Sequence, residues 1–539
     1  MIRTIFTKLK NIHPLILLAG IVFFAGVLRL VNLGVQPYWG DEILSLGIAH
    51  HFESVVDMLR YLSLVEVHPP LYYLLLHPWV GQFGTGEFIV RLLSWAAGLL
   101  VVVLGYLVGK RAYKSETVGL IAALLFAVLP TFLEYSQQAR PYIFFTAAAL
   151  IAIYAYLAYR ETNRWRWLFL YIAASTTGLY LHYSYVFFFV SIASFWIIVL
   201  LLEREPNWSR RFIDWLLAQA AAAVLFVFWL PLLLSKLLLQ KYLIFGLKNT
   251  TSLSADRPLS FLSDLINQLF WMNKNQITAP IEIFAIFLFK CALAVALFWL
   301  IRRALFSKER WAREATALFL WMSIIPLLLF LFSPQSIAYT NELGRHVIAT
   351  AGFATLLLAY ILWLLPLRYR LVLGALFFAS ILPFIIGTLD NDAHWNSQYR
   401  LQDIAQFINE SYHPGDLILI SYVFSRSDFN YYLRPDVQSL AIAPTNYYGI
   451  DLYNSRETLG FIENEIQFRI PHITLRDVGQ KMERLTRDKN LKRIWITYVE
   501  DGGYPQQWLL AHGWRQAFHS PVRTLLPIDL FVRDNAPGL

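Results

Sequence analysis

The sequence predicts an α-helical polytopic membrane protein that ends in a small soluble α/β domain, and three observations predict it. Hydrophobic residues fill 57% of the 539 positions and charged residues only 15%, where soluble domains carry roughly 25% charged residues. Apolar runs approaching the width of a bilayer recur from position 14 to position 388. Beyond about Asp390 polar residues dominate, and helical patterns alternate with short β-runs. The expected domains are therefore a transmembrane domain, 1–389, and an extracytoplasmic α/β domain, 390–539.

The basic N-terminus, Arg3 to Lys10, leads into an apolar run over 14–33 without a small-residue cleavage site. It reads as a retained first span rather than a removed signal. Further runs at 88–108, 118–132, 141–159, 168–181, 185–202, 212–234, 281–301, 315–332, 347–365 and 371–388 bring the expectation to about eleven spans. Several are short, and flanking Tyr, Trp and snorkelling Arg complete them. Cys291 lies in an apolar run and is the one cysteine, so no disulfide framework or cysteine-based metal cluster is available.

The net charge of +9 does not point to nucleic acid, because the basic residues sit between spans rather than on one face. Loops at 110–114, 160–166, 204–211, 302–313 and 368–370 are rich in Lys and Arg, which marks them as cytoplasmic. That orientation keeps the N-terminus inside. It puts Asp41, Glu42, Arg140, His182, Arg345, His346 and everything after Leu389 outside. The basic loop 235–280 fits this scheme least well.

Three segments read as interfacial rather than spanning. Residues 43–62 carry an apolar stripe opposite Glu53 and Asp57. Residues 70–83 are short, aromatic and expected to break at Pro78. Residues 262–270 repeat Leu262, Leu265, Ile266 and Leu269 at helical spacing. In the C-terminal part, helix is expected over 401–409 and 478–485, with strands at 417–420 and 493–498. No nucleotide loop, zinc spacing or nucleophile motif stands there, so that domain is read as a lid or acceptor-binding appendage without chemistry of its own.

The outward-facing polar residues carry the chemistry. Asp41 and Glu42, in Trp39-Gly40-Asp41-Glu42, are adjacent carboxylates where the chain leaves the first span. Ionisable groups so close to a bilayer tend to mark substrate or ion sites, although acids also suit a helix N-terminus. With them stand Glu66, His68, Glu87, Arg91, Glu134, Gln138, Arg140, Tyr142, His182, Tyr183, Arg345 and His346. A carboxylate can deprotonate an attacking hydroxyl or amine, and arginine forks suit phosphate oxygens. Together they fit transfer of a sugar from a lipid-linked phosphate, inverting if a single base drives direct attack. Plainer readings stand beside each: Arg140 snorkelling, His182 as an interfacial hydrogen-bonded histidine, Glu87 and Arg91 paired at i,i+4. Glu66 and His68 are the candidates for a divalent ion, two ligands at most.

Leu28-Arg29-Leu30-Val31-Asn32-Leu33 followed by Tyr38-Trp39-Gly40-Asp41-Glu42 resembles the first helix and first outer loop of the GT-C glycosyltransferases. The likeness is to their bacterial branch, related to the protein O-mannosyltransferases and the lipid A aminoarabinose transferases. His68-Pro69-Pro70-Leu71-Tyr72-Tyr73, the 86–94 segment, and Gln138-Ala139-Arg140-Pro141-Tyr142 resemble further elements of that family in order, over about 28–365. The resemblance implies Asp41 as catalytic base with Glu42 assisting. It implies Arg140 and Arg345 as donor-phosphate ligands, with His68, Tyr142, His182, Tyr183 and His346 near substrate. His346 stands where relatives often have Tyr, and His68 where the aminoarabinose branch has Lys, so that branch's metal site does not carry over. The short Asp-Glu loop, without a large luminal insert, points to a prokaryotic enzyme.

The expected activity is therefore a membrane glycosyltransferase. It would take a polyprenyl-phosphate sugar as donor and a lipid, glycan or protein as acceptor, with no nucleic acid partner. No cofactor is required, though a divalent metal is compatible. The rival classes are a flippase of lipid-linked glycans, which inverted repeats would favour and which the sequence does not show, and a non-catalytic scaffold.

Overall fold

The computed structural model describes residues 13–64, 68–203, 208–232, 309–331, 348–389, 401–420, 431–434, 436–437, 439–441, 475–487, 491–497, 504–519 and 528–533, with single positions at 295, 298, 299 and 302. The chain is mostly helical and divides into two compact units. One comprises Met1–Leu33, Val65–Leu75 and Arg91–Leu389; the other comprises Gly34–Leu64, Leu76–Val90 and Asp390–Leu539.

Helices of the first part of the chain are α1 (Pro14–Leu30), α2 (Gly40–His51), α3 (Val55–Leu64), α4 (Leu71–Phe83), α5 (Glu87–Tyr113), α6 (Glu116–Val128) and α7 (Pro130–Tyr135). There follow α8 (Tyr142–Thr162), α9 (Trp165–Leu181), α10 (Tyr185–Glu203), α11 (Trp208–Phe226), α12 (Arg310–Leu331), α13 (Ile348–Leu364) and α14 (Leu367–Leu389). Among the described residues four helices are long and apolar enough to cross a membrane: Glu87–Tyr113, Tyr142–Thr162, Tyr185–Leu202 and Arg310–Leu329. Pro14–Leu30, Glu116–Val128 and Ile348–Leu364 are apolar but shorter. The expected interfacial segment 262–270 lies outside the described residues and the expected span 281–301 lies largely outside them, whereas the expected span 212–234 is described as far as 232.

In the first unit α8 and α13 form the interior. Helix α8 is buried along most of its length, and α13 packs against α6, α8 and α12. Helices α8 and α9 form a hairpin whose turn is Asn163, at φ 54°. Asparagine tolerates this left-handed conformation better than other residues with a Cβ, and its N–H caps Tyr159.

The expected span over 118–132 is corrected into two helices, α6 and α7, because Pro130 has no N–H to continue the first. The carbonyl of Phe126 thereby loses its i+4 donor. Arg29 supplies a replacement: its Nη2 donates to Phe126 O at 2.8 Å, its Nη1 to Ala127 O at 2.9 Å, and its Nε to Ser136 Oγ at 3.1 Å. Gln137 closes the other side, donating to the carbonyls of Arg29 and Val31 at the end of α1. Side chains from two helix ends thus satisfy groups that the break leaves open.

In the second unit the 43–62 helix expected from its apolar stripe is also two helices. Phe52 adopts an extended conformation, and Ser54 starts α3 by accepting from Met58 N. Pro78 does not break α4, contrary to expectation. The helix runs through it, braced at the preceding residue by His77 Nδ1 against Ala49 O at 2.7 Å.

The C-terminal residues of this unit form α15 (Leu401–Ser411), β1 (Leu417–Ile420), β2 (Ser439–Ala441), α16 (Leu475–Thr486), β3 (Arg493–Thr497), α17 (Tyr504–Ala511), β4 (Trp514–His519) and β5 (Ile528–Arg533). The strands make one mixed sheet in the order β2-β1-β3-β5-β4, parallel across β2, β1 and β3 and antiparallel at β5 and β4. Strand alternation sends Ile418, Trp495, Leu530 and Val532 against Ile404 and Ile408 of α15. The opposite face packs Leu417, Leu419, Ile494 and Ile496 against Met482 of α16 and Leu509 of α17. A buried ion pair, Arg493 Nε to Asp416 Oδ1 at 3.2 Å, ties β3 to the turn before β1, with Trp495 Nε1 donating to Asp416 at 3.0 Å.

This unit also joins the loop after α1 to the C-terminal sequence. Tyr38 N donates to Tyr432 Oη at 2.7 Å, and the Tyr38 and Tyr431 hydroxyls both donate to Thr85 O. The Tyr38 and Tyr431 rings meet edge to face at 5.7 Å. Burial pushes the Tyr431 phenol above its usual range, which keeps it a donor.

Candidate active site

Asp41 and Glu42 occupy the first turn of α2, where negative charge meets the positive end of the helix. The two carboxylates have separate surroundings. Glu42 is wholly buried, and its Oε2 accepts from Trp39 N at 3.3 Å while its own N–H donates to Trp39 O. This is the reciprocal bond that a glutamate at the third helical position makes in a capping box. Asp41 is half-buried on the more open side, and its backbone carbonyl is held by Ser45 Oγ at 2.9 Å. Glu42 therefore fixes the start of the helix that presents Asp41.

The second group of predicted residues assembles in the other unit. After α7 the chain turns through Ser136 to Pro141, and Arg140 in this turn is almost fully buried. Its Nη2 lies 3.3 Å from Nε2 and 3.5 Å from Nδ1 of His68, and its guanidinium sits 5.7 Å from the Tyr142 ring centre. His182, at the end of α9, brings its ring to 5.3 Å from His68 and 5.6 Å from Tyr142, and stacks on Phe145 at 5.4 Å. Ser184 N donates to His182 Nδ1 at 3.1 Å. That bond makes Nδ1 the acceptor and leaves the ring proton on Nε2. One guanidinium and two imidazoles with aromatic rings beside them form a cluster suited to an anion with an apolar neighbour.

The remaining candidates take supporting positions. Gln138 Nε2 donates to Glu134 Oε1 at 3.1 Å, both buried beneath the turn. Tyr183 Oη accepts from Trp229 Nε1 at 2.9 Å, which fixes the residue beside His182. Arg91 is buried and donates to Leu33 O at 3.0 Å, linking the start of α5 to the turn after α1. Glu87 is partly exposed. Glu66, Arg345 and His346 lie outside the described residues. Among the described residues no group of three or more His, Cys, Asp or Glu could hold a metal ion.

Reading the sequence alone misses Phe145, Ser184, Gln137, Tyr38 and Tyr432. Phe145 was readable as one turn beyond Tyr142 on the same helix face. Tyr432 has no local signal, since its partner Tyr38 is remote in the chain.

Residues 67–231 match the family described as dolichyl-phosphate-mannose-protein mannosyltransferase. That segment includes His68, Arg140, Tyr142, His182 and Tyr183. Among solved structures, the chain is similar to ArnT from Cupriavidus metallidurans bound to undecaprenyl phosphate, at 14% identity and a TM-score of 0.59, covering 96% of this chain and 99% of that one. The apo state of the same protein matches at 14% identity and a TM-score of 0.58, over 95% and 97% of the two chains. The apo oligosaccharyltransferase of Archaeoglobus fulgidus matches at 13% identity and a TM-score of 0.51, over 89% of this chain and 69% of that one. No curated protein matches by sequence. The resemblance to GT-C glycosyltransferases read from the sequence is borne out.

Proposed function

We propose that this chain, a membrane protein with the GT-C fold, transfers a sugar from a polyprenyl-phosphate donor to a lipid, glycan or protein acceptor on the extracytoplasmic side. The observation that carries the reading is the cluster of Arg140, His68 and His182 within the segment matched by the mannosyltransferase family. Arg140 and the Nε2–H of His182 take the phosphate oxygens, and Tyr142 and Phe145 flank them. Asp41 is the base. It accepts the proton of the acceptor hydroxyl or amine as that atom bonds to the anomeric carbon, while the bond from that carbon to the phosphate oxygen breaks. The leaving polyprenyl phosphate departs as an anion that Arg140 stabilises. One displacement inverts the anomeric centre. Arg345 is proposed as a second phosphate ligand on the resemblance alone, and 390–539 as an acceptor-side domain.

The test incubates purified full-length protein with a panel of labelled polyprenyl-phosphate sugars and a membrane extract as acceptor source. Sugar leaves the carrier with wild type. Asp41→Asn lowers transfer by at least about 100-fold with unchanged folding, and Arg140→Lys raises the donor KM more than it lowers kcat. Label that crosses the membrane still attached to its carrier would identify a flippase instead. Transfer by Asp41→Asn near the wild-type rate would remove the base assignment.

A further inference from the structure

The basic residues that the topology places on the cytoplasmic side do more than set orientation. The C-terminal ends of α5, α8 and α10 and the N-terminal ends of α11 and α12 enclose a cavity of about 300 Å³ within the first unit. Its lining holds five basic side chains, Arg111, Lys114, Arg160, Arg211 and Arg310, against two carboxylates, Glu161 and Glu314. Leu157, Phe195, Val199 and Leu318 supply apolar lining. Phe195 and Val199 lie in the span Tyr185–Leu202 and Leu318 in the span Arg310–Leu329.

The cavity is remote from the candidate donor cluster. Helix α8 begins at Tyr142, beside Arg140, and reaches the cavity at Tyr156 to Glu161 in its last turns. A helix of 21 residues is about 30 Å long, which is the hydrocarbon thickness of a bilayer. The two sites therefore belong to opposite faces of the membrane.

Three of the five basic side chains, Arg111, Arg160 and Arg310, carry ion pairs. Arg111 Nε bonds Glu161 at 2.9 Å, Arg160 Nη2 bonds Glu314 at 3.0 Å, and Arg310 Nε bonds the other oxygen of Glu314 at 2.7 Å. Arg111 also stacks over Tyr154 and Trp167, at 4.6 and 5.4 Å from their ring centres. Arginine forks match phosphate oxygens, and five basic groups against two carboxylates leave the lining with a net positive charge. An excess of positive charge beside an apolar lining describes an amphiphile with an anionic head. Basic pockets between spanning helices on the cytoplasmic side take phospholipid headgroups.

We propose that this cavity is a binding site for an anionic phospholipid, with the phosphate at Arg111 and Arg310 and an acyl chain along Leu157, Phe195, Val199 and Leu318. The site is independent of the proposed transfer reaction, and its test reads binding alone. Detergent-purified full-length protein is incubated with equal amounts of phosphatidylglycerol and phosphatidylcholine, and retained lipid is weighed by native mass spectrometry. Phosphatidylglycerol is retained preferentially, and Arg111→Gln combined with Arg310→Gln lowers its retention roughly tenfold. Should that double variant fail to fold, Val199→Trp, which blocks the apolar lining and leaves every ion pair intact, lowers retention in the same way. Equal retention of both lipids, or retention unchanged in the folded variants, overturns the proposal. Displacement of bound lipid by millimolar inorganic phosphate would assign the site to a soluble anion and equally overturn it.

Discussion

Replacing Arg29 by Met tests how the break at Pro130 is held and what depends on it. The guanidinium makes four bonds: to Phe126 O, Ala127 O and Ser136 Oγ, and more weakly to Ala25 O at 3.3 Å. Methionine keeps an unbranched apolar stem and has no donors. The two shortest bonds go to carbonyls in the last turn of α6, and hydrogen bonds from a charged donor contribute roughly 1.5–3 kcal/mol each. Their joint loss would cost roughly 3–6 kcal/mol, and relief from burying an ion offsets part of it. A net loss of roughly 3 kcal/mol remains, a factor of roughly 150 in the folding equilibrium. At roughly 2–4 °C per kcal/mol, the Tm read by tryptophan fluorescence in detergent should fall by roughly 6–12 °C.

The same substitution has a second readout. Ser136, which Arg29 holds, opens the turn that carries Arg140. Arg29→Met should therefore raise the donor KM more than it lowers kcat. Arg29→Lys, which keeps the charge but loses the planar fork, should fall between the two proteins in both measurements. A Tm within about 1 °C of wild type for Arg29→Met would mean that the orphaned carbonyls find other donors, and the reasoning would fail.

Three further outcomes follow from the geometry. Glu42→Gln preserves the bond to Trp39 N and should retain most transfer activity, whereas Glu42→Ala removes it and should cost roughly 0.5–2 kcal/mol of stability; equal loss in both variants would make the Glu42 carboxylate chemical rather than structural. A methyl group at Gly178 would overlap the ring of buried Tyr185 across the turn that holds His182. Gly178→Ala should thus cost roughly 1–3 kcal/mol and recover in combination with Tyr185→Leu, as measured by Tm. His51 is held below its ordinary value of 6.5 by burial first and by His50 second. The folded chain then binds fewer protons than the unfolded one, so the contribution is full above 6.5 and is lost as pH falls through 6.5 toward the lowered value. Hydrogen exchange of Gly40–His51, corrected for intrinsic rates, should quicken across that window and should not do so in His51→Gln.

Much of this architecture was legible because it rests on local patterns. The strand at Leu417–Ile420 and the helix before it follow from a short β-branched run, a Pro-Gly-Asp turn and a helical stripe, and β3 begins where the Ile-Trp-Ile run predicts. The parallel pairing of β1 with β3, and the antiparallel addition of β4 and β5, join residues far apart in sequence and leave no periodic trace. The same limit hid Tyr432, whose hydroxyl receives Tyr38 N from the loop after α1. Loop and C-terminal residues share one contact unit through side chains that read, singly, as ordinary surface tyrosines.

The apolar run over 118–132 shows a different limit. Hydropathy counts Pro130 as one more apolar residue, so the run looks like a single span. Proline's missing N–H asks a sharper question, namely which residue feeds the carbonyl four positions earlier, and the answer has to be a donor from elsewhere. An arginine in an otherwise apolar first helix is such a donor, so Arg29 and Pro130 were readable as a pair though neither was readable alone. Asp41 and Glu42 divide in the same fashion. Both suit a helix N-terminus and both suit base chemistry, but a helix start has one third position, and Glu42 fills it. Asp41, half-buried beside it in the same turn, is the carboxylate proposed as the base.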